Sequence, residues 1–262
     1  MKKTKINRAE AFDQHFGEFY KERWSALKAA LMAQPKRIHL ENPFSASLQG
    51  YTLDEASLAP VRQLAAKEGD AIADFCSSPG GKLISSIFAL RGEGSWVGND
   101  LSAARVARLK AVLHDCVPPE ILTRVRVFHS DASRWASKFK ESFDRILVDA
   151  PCSGERHLIQ SPKELERWSL TGSKRLAVRQ NALLCSAIDC VRPGGRIVYS
   201  TCSISEVEND GVIDRLQKSR GGQFNVLAVT DEKNGEPTRN GWIFLPDTSG
   251  CGPIYLSIIE KL

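Results

Sequence analysis

The chain has 262 residues, 42% hydrophobic and 26% charged, with a formal net charge of +5. That suits one large α/β domain with a small appendage and excludes a disordered or collagen-like chain. No stretch approaches the roughly 20 apolar residues of a membrane span; the basic start Met1–Arg8 has no apolar segment behind it and so reads as no secretory signal.

In chain order, residues 9–33 carry a helical pattern. Phe12, Phe16, Phe19, Trp24, Leu27 and Leu31 recur at three- to five-residue spacing, and Gln34-Pro35 ends the segment. Residues 1–37 hold nine Lys/Arg against four Asp/Glu, an excess equal to that of the whole chain. Such a segment is either a solvated helix face or an arm that touches phosphates. In the second case charge reversal at Lys21 and Arg23 would weaken binding to a phosphate-bearing ligand. Residues 36–70 are mixed, with breaks at Asn42-Pro43 and Ala59-Pro60.

From Ala71 strands and helices alternate. Ala71 to Cys76 reads as a buried strand, Ser77 to Gly81 as a turn and Lys82 to Leu90 as a helix. Ser95 to Asn99 and Ala103 to Leu113 form the next pair. Val125 to His129 and Phe143 to Asp149 are the third and fourth strands. A helix over 174–191 is stopped by Pro193-Gly194-Gly195, and Arg196 to Ser200 is the fifth strand. A helix over Glu206 to Gln217 precedes two late strands, Phe224 to Val229 and Ile254 to Ile259. Alternation of this kind gives right-handed βαβ crossovers. The expected fold is α/β and Rossmann-like, the class I S-adenosylmethionine-dependent methyltransferase variant. Its sheet would have seven strands, mostly parallel, with an antiparallel hairpin at one edge.

In such a sheet, ligands bind beyond the carboxyl ends of the strands. After the first strand stand Cys76, Ser77, Ser78, Pro79, Gly80, Gly81 and Lys82. Glycines there let backbone approach a ligand, and the helix start offers N–H groups to a carboxylate. Asp100 after the second strand can accept from ribose hydroxyls, and Asp131 after the third can receive an adenine amino group; each is also an ordinary helix-cap residue. The missing second nucleotide-binding half favours S-adenosylmethionine over NAD. Seven cysteines without framework spacing imply free thiols in a reducing compartment. With no Cys-x-x-Cys pair or His cluster, no metal is expected. Two thiols sit at strand ends, Cys152 in Asp149-Ala150-Pro151-Cys152-Ser153-Gly154 and Cys202 in Ser200-Thr201-Cys202-Ser203. Soft nucleophiles beside an alkyl donor point to covalent methyl transfer onto a ring carbon.

These segments, with Asp74–Lys82 and Asn99–Ser102, resemble the Nop/Sun, or RsmB-like, RNA cytosine-5 methyltransferases over about residues 70–262. Asn99–Pro118 and Gly252–Tyr255 look closest to the mitochondrial small-subunit rRNA branch. The resemblance implies residues 1–50 as a helical extension and 51–262 as the catalytic domain. It implies Cys202 as nucleophile, Cys152 as the thiol assisting product release, Asp149 as the cytosine contact and Lys82 as an active-site lysine. Cys76 to Lys82, Asp100, Arg105, Asp131 and Asp149 would hold S-adenosylmethionine. Glu155-Arg156-His157 departs from the glycine-containing loop many members have there, and Arg156 is a candidate phosphate contact. About 70 residues before the first motif leave little room for a full RNA-binding module. A protein partner or an assembled ribosomal particle is therefore expected to supply specificity, with small-subunit rRNA favoured as substrate. The expected state is a monomer without membrane association, cytoplasmic, or mitochondrial-matrix as the alternative. Two other readings stay open: a DNA cytosine-5 methyltransferase using Cys152, and a non-catalytic RNA-binding ribosome-assembly factor.

Overall fold

The computed structural model describes residues 7–230 and 232–262. Lys2, Lys3 and Lys5 of the basic start lie outside them. The helical pattern over residues 9–33 forms a pair of helices, α1 (Arg8–Tyr20) and α2 (Trp24–Met32), joined by a 3₁₀ turn over Lys21–Arg23. Burial explains the break. In one straight helix, Phe12 and Trp24 would lie about 18 Å apart along the axis. Here their ring centroids are 5.9 Å apart, and Trp24 stacks on Phe16 at 5.4 Å. Reversing the chain buries Phe12, Phe16, Trp24, Leu27 and Leu31 in one cluster. Each such side chain contributes roughly 1.5–3 kcal/mol on burial.

The mixed region holds a hairpin, β1 (Arg37–Leu40) and β2 (Tyr51–Asp54), then α3 (Ala59–Gln63). The alternating part follows as β3 (Ala71–Asp74), α4 (Gly81–Ala89), β4 (Ser95–Asp100), α5 (Ala103–Cys116), α6 (Pro119–Leu122), β5 (Val125–His129) and β6 (Phe143–Asp149). After β6 come α7 (Glu155–Gln160), α8 (Pro162–Leu165), α9 (Leu170–Cys190), β7 (Val191–Thr201) and α10 (Asp210–Arg220). The chain ends with β8 (Phe224–Leu227), β9 (Glu236–Pro237), β10 (Trp242–Phe244), α11 (Pro246–Ser249) and β11 (Ile254–Lys261).

The main sheet runs β5-β4-β3-β6-β7-β11-β10-β9, with β8 also paired to β11. The five strands β5, β4, β3, β6 and β7 are parallel, and β11 is antiparallel to β7. The expected seven strands are all present, including the β8–β11 hairpin. The short β9 and β10 make nine. β10 pairs with Ile254–Leu256, leaving Ile258–Lys261 to β8, so one long strand carries two partners on the same edge. These additions are too short to give a periodic signal. Pro193-Gly194-Gly195 bulges within β7 rather than preceding it: Phe143 faces Val191, whereas Arg145 already faces Arg196.

Strand parity divides the core. Ile72, Leu147, Val198 and Leu256 pack with Leu83, Ile84 and Leu109 of α4 and α5. Their neighbours Ala73, Ile146, Val148, Ile197 and Tyr199 pack with Leu183, Leu184, Val212 and the α1–α2 aromatics. Burial on both faces explains why the strands read as apolar runs rather than alternations.

Candidate active site

Strand order reverses between β3 and β6: the chain steps from β3 outward to β5, then returns to the other side of β3. A crevice opens beyond strand ends at such a reversal. Asn99 ties its floor together. It is buried, donates to Phe75 O and Ser130 O at 3.0 Å, and accepts from Ser130 N at 3.2 Å. Ser77 N donates to Asn99 O at 2.7 Å, and Ser78 Oγ to Arg105 O at 2.8 Å, which fixes the turn into α4. Gly80 has φ +123°, and a Cβ there would lie 3.1 Å from Leu109 Cδ1, so only glycine suits it.

One cleft at these ends is lined by Phe75, Cys76, Asn99, Asp100, Arg105 and Asp131, with Arg179 from α9 on its wall. Asp100 accepts from Ser102 N at 2.9 Å and pairs with Arg105 Nε at 2.9 Å, while Arg105 Nη2 donates to Ser78 O. Asp131 caps the turn over 132–137 through Ser133 N at 3.1 Å, and its carboxyl stands at the rim of the cleft. The capping and ligand roles of this Asp are compatible.

A second cleft adjoins the first, lined by Tyr51, Asp74, Ser77, Ser78, Pro79, Gly81, Lys82 and Asp149. Lys82 Nζ donates to Asp149 Oδ2 at 2.8 Å, and Ser200 Oγ donates to Asp149 Oδ1 at 2.8 Å. Burial alone would lower the Lys82 pKa. The Asp149 carboxylate outweighs it, so the ammonium is held above its ordinary value. Asp74 is pushed up to about 7 by burial and by the charge of Asp149. Its Oδ2 is buried without a hydrogen-bond partner. A buried carboxylate oxygen of this kind is suited to an ammonium donor, and the open amides of the α4 start to a carboxylate. Those are the two ends of the amino-acid portion of S-adenosylmethionine, and the adjoining cleft suits a nucleoside. The residues present fit that molecule.

Cys152 and Cys202 meet beyond the ends of β6 and β7, their Sγ atoms 2.8 Å apart and both free thiols. Cys202 N also donates to Cys152 Sγ at 3.3 Å. Cys202 is the exposed residue in an otherwise buried loop. Thr201 Oγ1 donates to Asn209 Oδ1 at 2.7 Å, Asn209 Nδ2 to Ser203 O at 2.9 Å, and Tyr20 OH of α1 to Ile204 O at 2.7 Å. The loop is thereby rigid, with its thiol turned outward. Cys152 is half-buried; its hydrogen bond to Cys202 and its burial hold the thiol well above its ordinary pKa.

Beyond Cys202 lies a further pocket lined by Gln34, Arg37, Asp54, Gly154, Arg156, His157, Gln160 and Gly252. Arg156 Nη2 donates to Ala33 O, and His157 Nε2 lies 2.9 Å from Glu164 Oε2. Arg23, expected at an RNA surface, instead pairs with Glu236 at 2.5 Å and Asp247 at 2.6 Å. Arg37, Tyr51, Asp74 and Arg179 were not among the expected site residues. Arg37 and Tyr51 belong to a hairpin that carries no local motif. Asp74 ends β3, but the apolar run continues through Phe75 and Cys76, so the sequence reading places it inside the strand rather than at its end.

Residues 61–260 match a family model described as 16S rRNA methyltransferase RsmB/F. A Bos taurus 5-cytosine rRNA methyltransferase NSUN4 is 36% identical over 189 residues, covering 70% of this chain and 48% of that one. A Mus musculus mitochondrial tRNA (cytosine(34)-C(5))-methyltransferase is 30% identical over 250 residues, covering 90% and 71%. The crystal structure of NSun6 from Pyrococcus horikoshii with SFG, an analogue of S-adenosylmethionine, superposes with a TM-score of 0.70. It is 25% identical, covering 82% of this chain and 54% of that one. The chain thus spans about half the length of the bovine relative. The matched region contains both thiols, the first cleft and, Tyr51 apart, the residues named above for the second, and the chain belongs to the RsmB/F family of methyltransferases.

Proposed function

We propose that this chain methylates C5 of a cytosine in RNA, with Cys202 as nucleophile and Cys152 as the thiol that assists release. The observation that carries this is the pair of free thiols 2.8 Å apart at two strand ends, beside a cleft that fits S-adenosylmethionine. Cytosine C5 is a poor nucleophile. A bond from Cys202 Sγ to C6 makes C5 enamine-like. When bound, S-adenosylmethionine supplies the methyl group that C5 takes. Loss of the C5 proton to solvent restores the C5–C6 double bond, and the electron pair of the S–C6 bond leaves on the Cys202 sulfur. Cys152, held as a thiol, then returns a proton to the departing Cys202 sulfur. Asp149 contacts the cytosine and Lys82 keeps it oriented. Cys76, Ser77, Ser78, Pro79, Gly80, Gly81, Asp100, Arg105 and Asp131 would line the donor's site.

The basic pocket beyond Cys202, with Arg37, Arg156 and His157, supports entry of the nucleic acid from that side. The 16S rRNA description of the family model favours rRNA of the small subunit as substrate; a partner or ribosomal particle would supply specificity. The relative named as mitochondrial favours the organellar compartment over the cytoplasm. Residues 1–50 serve as an extension in sequence while sharing the catalytic core. Denaturing gels of Cys152→Ala and Cys202→Ala protein after exposure to total RNA test the mechanism. An RNA-shifted band with Cys152→Ala, lost in the double variant, is expected. A band seen only when Cys152 is present would mean the single-cysteine, DNA-type arrangement.

A further inference from the structure

Beneath the two thiols lie two carboxyl groups that the methyl-transfer scheme does not use. Glu155 opens α7 and Glu208 sits in the turn before α10; both are fully buried. Glu155 takes hydrogen bonds from both cysteine loops. Ser203 Oγ donates to its Oε1 and Ile204 N to its Oε2, each at 3.0 Å, on the Cys202 side. On the Cys152 side, Ser153 Oγ touches its Oε1. Glu208 grips the same Ser153: Ser153 N donates to Oε2 at 2.9 Å and Ser153 Oγ lies 2.5 Å from Oε1. Gln180 Nε2 of α9 donates to Glu208 Oε2 at 3.0 Å.

Hydrogen counting makes this arrangement specific. The Ser153 hydroxyl has one proton and stands against two carboxyl oxygens. It can donate to only one of them, so the other must donate to it. The buried pair therefore carries one proton, as two like charges in one site require.

We propose that Glu155 and Glu208 act as a one-proton clamp that holds the Cys152 loop against the Cys202 loop, making Glu155 a positioning residue for the two-thiol chemistry. This rests on the two-cysteine reading above. Glu155 spans both loops through three groups, Ser153, Ser203 and Ile204, and Glu208 closes the clamp on one side. Loss of the shared proton would set two buried carboxylates against each other and part the loops. Burial and the charge of Glu208 push Glu155 up to about 7, so that loss falls within the neutral range. The other titratable groups facing the pair are Cys152 and Tyr199, both raised well above their ordinary values, Tyr20, raised by burial, and Cys202.

Phenylarsine oxide tests the clamp without needing methylation. It condenses with two adjacent thiols, forming two As–S bonds and releasing water, and Cys152→Ser protein serves as the single-thiol control. Glu155→Gln, which copies the protonated carboxyl, should bind the arsenical like the wild type. Glu155→Ala should bind about tenfold more weakly, the fold-change expected when a buried hydrogen-bonding group is lost. Ser153→Ala, a smaller change that keeps both carboxyls, should weaken binding in the same direction. Wild-type affinity should fall as pH rises through about 7, and Glu155→Gln should lose that step. Folded Glu155→Ala and Ser153→Ala proteins with wild-type affinity and pH profile would overturn the clamp. Wild-type protein that binds the arsenical yet forms no 5-methylcytosine would instead overturn the enzymatic reading.

Discussion

The ends of β6 and β7 turn a thiol outward from a loop otherwise buried and hydrogen-bonded, whereas the α1–α2 hairpin pairs off its Arg23 and Lys28. Cys202 is exposed between buried Thr201 and Ser203. Arg23 is held by Glu236 and Asp247, and Lys28 by Asp13 at 2.6 Å. Both regions carry side chains capable of function, and what separates them is whether those side chains are already satisfied. A paired cation has little left for a phosphate, while an exposed thiol on a fixed loop is available. The hairpin still serves the site as a brace. Tyr20 OH holds Ile204 O, and Gln160 Nε2 of α7 donates to Leu31 O at 3.1 Å.

The sharpest way to break this comparison is at the thiols. Cys202→Ala should lower methylation by at least about 10³-fold while leaving S-adenosylmethionine binding intact. Single-turnover transfer of labelled methyl to RNA, with donor binding by calorimetry, checks both halves. Normal turnover by Cys202→Ala would move the nucleophile elsewhere. Normal turnover by Cys152→Ala, without an adduct, would remove the release role.

The two regions also differ in how far the sequence exposed them. Asp100, Asp131, Asp149 and Cys202 each end a strand or follow one within two residues, so an apolar run that stops is enough to find them. Arg37 and Tyr51 reach the site from a hairpin, β1–β2, whose four-residue strands leave too little pattern to detect. The α1–α2 break leaves only a slight trace in the sequence, a five-residue step from Phe19 to Trp24 across Lys21–Arg23; the tertiary contact of Trp24 with Phe12 and Phe16 is what separates the two helices. The partners of Arg23, Glu236 and Asp247, lie more than 200 positions away, and no local window contains such a pairing. Charge counted along the chain therefore overstated the charge left free.

Proton linkage gives the next effect. Asp74 and Glu155 both sit at about 7 in the folded chain, raised from ordinary values of 3.8 and 4.5, with burial the main cause. The folded state thus keeps protons that the unfolded chain releases, and stability falls as pH rises from about 4 through 7, then levels off. For one such carboxyl the change is on the order of 3 kcal/mol. Denaturant titrations across this range should show it. A ligand ammonium at Asp74 should favour its ionised form, so donor affinity should rise over the same pH window. Pairing of Lys82 with Asp149 sets a further test. Lys82→Met should lower kcat about 10²-fold and leave the fold intact, because it strips orientation and positive charge from the site without touching the thiols.

The smallest effect addresses the hairpin directly. Arg23→Ala should destabilise the fold by about 1–2 kcal/mol, since it removes two partly buried charge-assisted contacts. Its effect on RNA affinity should be small and should not change the salt slope. Lys21→Glu, at an exposed position two residues away, should leave stability within about 0.5 kcal/mol. If that variant weakens RNA binding with a salt slope shallower by about one unit, the hairpin contributes to recognition through Lys21, and the contrast with the thiol loops narrows. If the Arg23 variant alone shows that shift, its ion pairs must open when RNA binds, and a satisfied side chain would no longer mark a purely structural one.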